Sequence, residues 1–339
     1  MTDKNISIRE IAKLSGVSIS TVSRVINNSG SYSQKTAKKV MDVVNEYDYH
    51  ANSIAKGLRQ KRTNSIGIIV PNLGNSFFSN LVELIENQLA NQNYSTIICD
   101  TSNNQVKERK SIDMLNARLV DGIIVISGRT KFQSESLNYS VPLVYIDREA
   151  QNDTDYYFIG SDHYKGAALA TNKLISAHTK PFLFKNEKEY PSIKERIKGY
   201  VDTYKKEFNT FDADRILVVP KRASLQEERA IIRSRLRGIF SRYSAPIGIF
   251  ATNDSLAVNI ILAARDINVN VPKDLKVIGF DDAPIAQYSV PELTTIHQDV
   301  QTIAKIACTK LIEQVTKPKA VKRPQKIIVD VSLIERGSA

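Results

Sequence analysis

Residues 7–27 read SIREIAKLSGVSISTVSRVIN, and this stretch decides the fold of the N-terminal part of the chain. Ser7 and Glu10 have the spacing of a capping box, in which two backbone amides at a helix start are satisfied reciprocally. Gly16 suits the left-handed conformation that ends a helix, and Ser18 suits the start of the next helix. The stretch therefore predicts a short helix, a tight glycine turn and a second short helix.

A third helix is predicted to begin at Ser33. Its apolar stripe consists of Ala37, Val40, Met41 and Val44. Three short helices can share one small core, and in a helix-turn-helix head the second helix enters the major groove of DNA. Ile19, Ser20 and Arg24 lie on the outer face of that second helix, so they are candidates to contact base edges. Arg24 can pair with a guanine or hold a phosphate, and the residues alone do not choose between the two.

The charge of the chain is concentrated at the same end. Residues 1–62 carry 11 of the 47 Lys and Arg residues and 5 of the 36 Asp and Glu residues, which is a net +6 out of +11 for 339 residues. A basic head on a nearly neutral body is typical of a nucleic-acid-binding module, because each cation that neutralises a phosphate releases counterions. A solvated basic surface is the alternative interpretation of the charge alone.

Beyond residue 63, apolar runs of strand length alternate with helical stretches. The runs are 65–70, 95–99, 122–126, 143–146, 181–184, 216–219, 247–251 and 275–279. Continuous apolar strands separated by helices predict parallel sheets that are covered on both faces. The number of runs suits two doubly wound subdomains, with a ligand cleft at the carboxyl ends of the strands.

Polar residues follow several of these strands. The candidates for the cleft are Asn75, Phe77, Asp147, Arg148, Asn253 and Asp281, together with their neighbours Ser76, Phe78, Asp254 and Asp282. An aromatic side chain beside carboxylate, amide and guanidinium groups is how proteins hold a polyhydroxylated ligand. Any one Asn or Asp in this set could instead cap the helix that follows its strand, and an aromatic residue could belong to the core.

Residues 7–18 and 20–27 together resemble the head of the lactose/galactose repressor family. The resemblance implies that Ile19 and Ser20 discriminate between operator sequences and that Arg24 contacts a base. It implies phosphate contacts for Ser18, Thr21 and Asn27. We expect a DNA contact also for Ser33, the cap of the third helix.

Residues 52–59 resemble the hinge helix of the same family, which forms on operator DNA. The resemblance implies DNA contacts for Asn52 and Ala55 and a minor-groove wedge for Leu58. An apolar wedge between base steps bends the duplex, and Gly57 makes the segment a poor helix without a partner. We therefore expect a helix-turn-helix domain over residues 1–50 and a hinge helix and linker over residues 51–62.

The resemblance extends over the body and implies a periplasmic-binding-protein-like α/β fold that the chain crosses three times. We expect a first subdomain at about 63–161 and 291–320 and a second at about 162–290 and 321–339. Family positions that contact inducer match Arg196, Asn253 and Asp281, and Gln298 matches a position at the cleft wall. The pair Asp147 and Arg148 matches one common in sugar-responsive members.

The sequence argues against other classes of protein. It has no phosphate-binding glycine motif, no nucleophile elbow and no metal-ligand spacing among its four histidines, so we expect no enzyme, cofactor or metal. A secreted sugar-binding protein would need a signal peptide, and residues 1–62 would have no role in it. Two isolated cysteines and apolar runs too short to span a bilayer predict a cytoplasmic protein without a membrane contact.

The predicted function is repression of a sugar-utilisation operon. We expect a homodimer on a near-palindromic, double-stranded operator, since two-fold protein symmetry mirrors operator symmetry. A small sugar or sugar phosphate bound between the subdomains would release it. Two alternatives within the family stay open: a regulator activated by a corepressor such as a purine, and a catabolite regulator that docks a phosphorylated carrier protein.

Overall fold

The structure is a computed structural model that describes residues 6–49, 62–126, 141–147, 156–188, 190–220, 224–317 and 325–339. The chain divides into two compact units, residues 1–63 and residues 64–339. Four of the residues expected at functional sites lie outside the described residues, namely Asn52, Ala55, Leu58 and Arg148.

The described part of the first unit, residues 6–49 and 62–63, forms three helices: α1 (Ile8–Ser15), α2 (Ile19–Ile26) and α3 (Gln34–Glu46). The predicted capping box is present, because the Ser7 amide donates to Glu10 Oε2 at 2.8 Å and the Glu10 amide donates to Ser7 Oγ at 3.3 Å. Gly16 ends α1 with φ at 67°. The fully buried side chains of the three helices are Ile11, Val22 and Val40.

One residue of the predicted α3 stripe is misplaced. Met41 is 39% exposed, although the sequence pattern assigned it to the core. The inward side of α3 follows Val40, with Ala37, Val43 and Val44 partly buried against the same cluster, so Met41 falls beyond the edge of the contact. The core-facing stripe of α3 is therefore rotated toward Val43 and away from Met41.

The described segments of the body form two six-stranded sheets, each flanked by helices on both faces, which confirms the predicted fold class. The strands of the first sheet are β1 (Ser65–Val70), β2 (Ser95–Asp100), β3 (Gly122–Ile126), β4 (Leu143–Ile146), β5 (Tyr157–Ser161) and β11 (Lys326–Val329). Those of the second are β6 (Phe182–Asn186), β7 (Ile216–Val219), β8 (Ile247–Ala251), β9 (Leu275–Asp281), β10 (Thr294–Gln298) and β12 (Val331–Ile334).

The strand orders are β11-β5-β4-β3-β1-β2 and β12-β10-β9-β8-β6-β7. Every described pairing is parallel except that of β10 with β12. A doubly wound order of this kind leaves a crevice at the carboxyl ends of the strands. Loops that carry polar residues therefore meet there in both subdomains.

Helices cover both sheets. The first sheet is packed by α4 (Ser76–Ala90), α5 (Gln105–Ala117) and α11 (Val300–Thr316). The second is packed by α6 (His163–Ser176), α7 (Pro191–Phe208), α8 (Leu225–Phe240) and α9 (Asp254–Arg265), with a short α10 (Ile285–Tyr288) beyond. No helix in the described ranges is both long and apolar enough to cross a bilayer.

The chain passes between the two subdomains at Asp162, Asp299 and Asp330. The second and third passages differ from the boundaries that we expected near 290 and 320. Strand β10 pairs with β9 of the second sheet, and β11 pairs with β5 of the first. The expected boundaries had placed 294–298 in the first subdomain and 326–329 in the second. Apolar alternation marks a strand without naming the strand that it pairs with, so these pairings could not be derived from it.

Candidate functional site

A cleft of about 340 Å³ lies where the carboxyl ends of the strands of both sheets meet. Its lining comes from loops and helix starts of both subdomains: Asn72, Asn75, Phe77, Phe78, Asn103, Asp147, Asn186, Glu187, Lys188, Tyr190, Ser192, Ile193, Arg196, Leu225, Glu228, Thr252, Asn253 and Asp281. Six residues expected at the effector site are among them, namely Asn75, Phe77, Asp147, Arg196, Asn253 and Asp281. The volume is in the range of pockets that hold small ligands.

Two of the cleft amides also cap helices. Asn75 Oδ1 accepts a hydrogen bond from the Phe77 amide at 2.9 Å at the start of α4. Asn253 Oδ1 accepts from the Leu256 amide at 2.8 Å at the start of α9. The capping alternative is therefore correct for their oxygens, and the amide nitrogens are the groups that they can offer to a ligand.

Arg196, on α7, is only 4% exposed and is held on several sides. Its Nε and Nη2 lie 3.3 Å from His163 Nδ1, and its Nη1 donates to the Thr252 carbonyl oxygen. Nη1 also lies 3.4 Å from Asp281 Oδ1. The guanidinium carbon lies 3.6 Å from the centroid of the Phe280 ring, so a cation–π contact fixes the plane of the group.

Asp281 ends β9 with φ at 125°, a conformation that L-residues rarely adopt. Burial raises the pKa of its carboxyl well above the ordinary value, and the neighbouring Arg196 partly opposes that rise. Gln298 Nε2 donates to Asp281 Oδ1 at 2.8 Å. Gln298 was expected at the cleft wall, but it is 2% exposed and is not among the lining residues. It holds the Asp281 carboxylate instead.

His163 is a site residue that the sequence reasoning missed. Its Nδ1 faces Arg196, and its Nε2 lies 3.4 Å from Asp147 Oδ1, so the ring stands between groups of the two subdomains. Burial first, and the Arg196 charge second, lower the pKa of His163, while Asp147 opposes the shift. A neutral ring that accepts at Nδ1 carries its proton at Nε2, toward the carboxylate. The signal was present, since His163 follows strand β5, but that strand was not among the predicted ones.

Two carboxylates that the sequence predicted at the cleft, Asp254 and Asp282, are not among its lining residues. Asp254 is fully buried and accepts hydrogen bonds from Thr295 Oγ1 and from the Ala283 amide, the latter at 2.8 Å. Burial raises its pKa to about 6. Asp282 binds His297 Nδ1 at 2.8 Å and Arg336 Nη2 at 2.7 Å. Both residues shape the loop after β9 rather than the cleft surface.

The cleft mouth is formed by residues that the sequence analysis did not list. Asn186 is the last residue of β6, Glu187, Lys188 and Tyr190 follow that strand, and Glu228 lies on α8. The first four obey the rule that ligand residues follow parallel strands, so the same pattern could have identified them. Glu228 lies at the site only because α8 packs beside this loop, which no local pattern reveals.

The cleft also has an apolar wall and an unused hydroxyl. Phe77 and Phe78 pack edge to face with ring centroids 5.4 Å apart, and Phe77 is 5% exposed. Thr252 is fully buried, and its Oγ1 has no hydrogen-bond partner. The combination of carboxylates, amides, a hydroxyl and aromatic rings can bind a polar ring-shaped molecule. Across the described ranges, no group of three or more His, Cys, Asp or Glu residues is placed to hold a metal ion.

The first unit presents α2 to solvent. Ile19 is 40% exposed, and Ser20 and Arg24 are exposed on the same helix. Gly30, with φ at 73°, lies beside the aliphatic part of Arg24, where a Cβ would sit 3.5 Å from Arg24 Cδ. An exposed apolar residue at a helix start, next to hydroxyls and a guanidinium, is suited to contact base edges and phosphates.

The other described head residues are tied to helix ends. Ser18 Oγ accepts from the Thr21 amide and Ser33 Oγ accepts from the Thr36 amide, both at 3.1 Å. Asn27 Nδ2 donates to the Ser23 carbonyl oxygen at 2.7 Å. Thr21 is half-buried, and its Oγ1 lies 2.9 Å from Ser18 Oγ. Exposed caps at the start of α2 and α3 are compatible with phosphate contacts, because helix N-termini attract anions.

Comparison with known proteins gives two family matches. Residues 7–52 match the model described as bacterial regulatory proteins, lacI family, and residues 174–339 match a periplasmic binding protein-like domain. The chain is 34% identical to the HTH-type transcriptional regulator DegA of Bacillus subtilis, with 98% of this chain and 97% of the relative covered. It is 30% identical to the sucrose operon repressor of Streptococcus mutans, with 98% of each covered.

A solved structure resembles the body. It is a periplasmic binding protein/LacI transcriptional regulator from Alkaliphilus metalliredigens in complex with D-xylulofuranose. The identity is 26%, the TM-score is 0.70, and the match covers 81% of this chain and 98% of that one.

Proposed function

The chain belongs to the LacI family of bacterial regulatory proteins, and from this membership and the cleft we propose that it represses a sugar-utilisation operon in the cytoplasm. A sugar or sugar derivative bound between the two subdomains releases it from its operator. The observation that carries the proposal is the cleft itself, where Arg196 and Asp281 from the second subdomain face Asp147 and Phe77 from the first. The named relatives are transcriptional regulators, and we assign no catalytic reaction to this chain.

The effector residues of the proposal are Asn75, Phe77, Asp147, Arg196, Asn253 and Asp281, with Gln298 and His163 as positioning residues. The Arg196 guanidinium can donate to a ligand hydroxyl, and the Asp281 carboxylate that faces it can accept from one. Arg148, which the sequence assigned to the same site, lies outside the described residues.

For DNA, we propose that Ile19, Ser20 and Arg24 contact bases. The proposed phosphate contacts are Ser18, Thr21, Asn27 and Ser33, and the proposed hinge contacts are Asn52, Ala55 and Leu58. We propose that two copies of the chain bind one near-palindromic operator, because one head can read only a half-site. Residues 51–62 would act as the hinge between the head and the body.

The proposal is tested by selecting an operator from a random DNA pool with the full-length protein and then screening sugars for release of that DNA. Replacing Ile19 and Ser20 together should change the selected sequence while non-specific affinity stays nearly constant. A sequence preference that is the same in the wild type and the double variant would exclude α2 as the reading helix.

The effector half of the proposal is tested with Arg196→Ala. This variant should bind the operator with wild-type affinity and lose its response to the sugar. The matched control is Arg233→Ala, which removes a guanidinium paired with Asp266 on the surface of the second subdomain. An Arg196→Ala protein that releases DNA at the wild-type sugar concentration would place the effector elsewhere. DNA binding that increases with the ligand would favour the corepressor alternative.

A further inference from the structure

The floor of the cleft is rich in hydrogen-bond acceptors. Asp147 and Asp281 have side chains that are 9% and 8% exposed, so both carboxylates face the cleft from buried positions. Asp281 Oδ1 receives Gln298 and Arg196, whereas no described residue donates to Oδ2. Carboxylate oxygens accept from hydroxyl groups, and a ligand that brings hydroxyl hydrogens can satisfy them.

Among the described residues of the cleft, Arg196 is the one buried cation, and its donors are already directed at protein groups. A guanidinium has five N–H donors. In Arg196, the Nε donor and one Nη2 donor face His163, and the two Nη1 donors face the Thr252 carbonyl oxygen and Asp281. One Nη2 donor is left for a ligand. A phosphate group needs several donors at once, so the arrangement of Arg196 does not suit it.

The charged side chains around the cleft also argue against a phosphate ligand. In the part of the lining that the structure describes, Asp147, Glu187, Glu228 and Asp281 are acidic, and only Lys188 and Arg196 are basic. Lys188 is exposed at the mouth, and His163 behind the floor accepts from Arg196 and is therefore neutral. A phosphate ester carries a charge of about −1.5 to −2 at pH 7. It would lose its hydration beside carboxylates, and the cation other than Arg196 in the described lining, Lys188, lies at the exposed mouth rather than at the floor.

On the premise of the effector function proposed above, we propose that the effector is an uncharged polyhydroxylated molecule, a free sugar or polyol, and that the cleft rejects its phosphate ester. The hydroxyls donate to Asp281 Oδ2 and exchange hydrogen bonds with the unpartnered Thr252 hydroxyl. The amide nitrogens of Asn75 and Asn253 donate to the ligand, and the Phe77 ring packs against its C–H face. Selectivity against anions is therefore built into the same carboxylates that bind hydroxyls.

The experiment is isothermal titration of the full-length protein with matched pairs of ligands. The pairs are D-ribose and ribose 5-phosphate, D-glucose and glucose 6-phosphate, D-fructose and fructose 6-phosphate, and sucrose and sucrose 6-phosphate, with D-glucosamine as a cationic probe. We expect at least one free sugar to bind, and its phosphate to bind at least tenfold more weakly. A phosphate ester that binds as tightly as the free sugar, or more tightly, overturns the inference and leaves the proposed function standing. Tighter binding of glucosamine than of glucose overturns the assignment of an uncharged effector.

Two variants test the cause of the selectivity. Asp281→Asn removes one floor carboxylate and frees a donor of Arg196, so the ratio of the two dissociation constants should fall several-fold. Glu313→Gln removes an exposed carboxylate on α11, outside the cleft, and should leave the ratio unchanged. An equal ratio in the wild type and in Asp281→Asn would overturn the electrostatic explanation. If no compound in the panel binds in either form, the proposed sugar response fails together with the inference.

Discussion

At the residue scale, the cleft is organised by buried polar side chains that hold one another. Arg196 connects His163, Thr252 and Asp281, and Gln298 donates to the same Asp281 oxygen, Oδ1. Removing one partner from such a network leaves a buried charge or donor without a partner, which costs more than the net value of the pair. Each member is therefore expected to affect ligand binding even where it does not touch the ligand.

His163 should act as a positioning residue for Arg196. His163→Ala removes the acceptor of two guanidinium donors, so we expect effector affinity to fall by about tenfold, the effect of roughly one lost hydrogen bond to a charged group. His163→Asn should lose less, because an amide oxygen can accept from Arg196. Operator affinity without effector should equal that of the wild type in both variants. Titration calorimetry and fluorescence anisotropy measure the two affinities.

A pH profile separates this role from a merely structural one. The pKa of His163 is lowered, so the ring is neutral above its ordinary value of 6.5 and gains a proton only in more acidic solution. Protonation would make Nδ1 a donor that faces Arg196, and effector affinity should then fall. The difference in effector affinity between the wild type and His163→Asn should therefore be constant above pH 6.5 and should change below it. Parallel profiles over the whole range would contradict the positioning role.

Asp254 should make stability depend on pH. Its pKa is raised from 3.8 to about 6 in the folded protein, so the folded state binds more protons than the unfolded state between these values. The resulting stabilisation of the folded state is on the order of 3 kcal/mol. It is complete below about pH 4 and is lost as the pH rises through about 6. Asp254→Asn should remove this contribution. Denaturant unfolding of both proteins between pH 4 and 7 measures how their free energies of unfolding depend on pH. If the Asp254 carboxyl titrates at its ordinary pKa, the two proteins should show the same pH dependence.

At the element scale, local hydrogen bonds determine where helices begin, and close packing determines which faces of neighbouring helices contact each other. Caps at Ser7, Ser18 and Ser33 begin the three helices of the head. In the body, α6 and α7 approach closely because Gly199 has no side chain; a Cβ there would collide with the Tyr164 carbonyl oxygen and touch Ala167. These features lead to one stability prediction for each unit.

Ser7→Ala should destabilise the head by about 1 kcal/mol, because the Glu10 amide loses its capping oxygen. Glu10→Gln is the matched control, since an amide oxygen can still accept from the Ser7 amide. Hydrogen exchange of residues 8–46 in the full-length protein measures both, and only Ser7→Ala should exchange faster by several-fold. Equal exchange in the two variants would show that the capping box does not hold α1.

Gly199→Ala should destabilise the body by about 1 to 3 kcal/mol, the usual cost of overpacking, because α6 and α7 must separate. Gly238→Ala on α8 is the control. A Cβ at Gly238 would meet only Arg242 Nη2 at 3.9 Å, so the substitution should be neutral or stabilising by up to about 1 kcal/mol. The denaturant midpoints of the two variants are compared with the same slope of unfolding free energy against denaturant concentration. An unchanged midpoint for Gly199→Ala would mean that the helices separate without loss.

At the scale of the whole molecule, the proposed function requires that the cleft and the operator influence each other. Asp147 and Phe77 belong to the first subdomain and Arg196 and Asp281 to the second, so a ligand in the cleft contacts both. A ligand can shift an equilibrium between arrangements of the subdomains only by its difference in affinity for them. Contacts from both sides can supply that difference.

The coupling should be reciprocal. A sugar that weakens operator binding by a given factor should itself bind more weakly by the same factor when operator is present. Titration calorimetry with and without saturating operator gives one factor, and operator anisotropy with and without sugar gives the other. Unequal factors at the same salt concentration would show that the two ligands do not act on one equilibrium.

The sequence by itself determined the elements whose cause is local. Ser7, Gly16 and Ser18 bound the helices of the head through hydrogen bonds and conformations within a few residues, and the predicted strand 143–146 begins and ends where the structure has it. The rule that ligand residues follow parallel strands also selected residues such as Asn75 and Asp281, which the structure brings to one cleft.

Only the tertiary structure decided which distant segments meet. It placed 294–298 in the second sheet and 326–329 in the first, and it set Arg196 against Asp281, 85 residues away, and against His163, 33 residues away. Apolar periodicity states that a segment will be buried but carries no information on its partner, and a side chain's pKa depends on those partners and on burial. The cleft's preference for hydroxyls over phosphate therefore rests on contacts that are absent from any short stretch of the sequence.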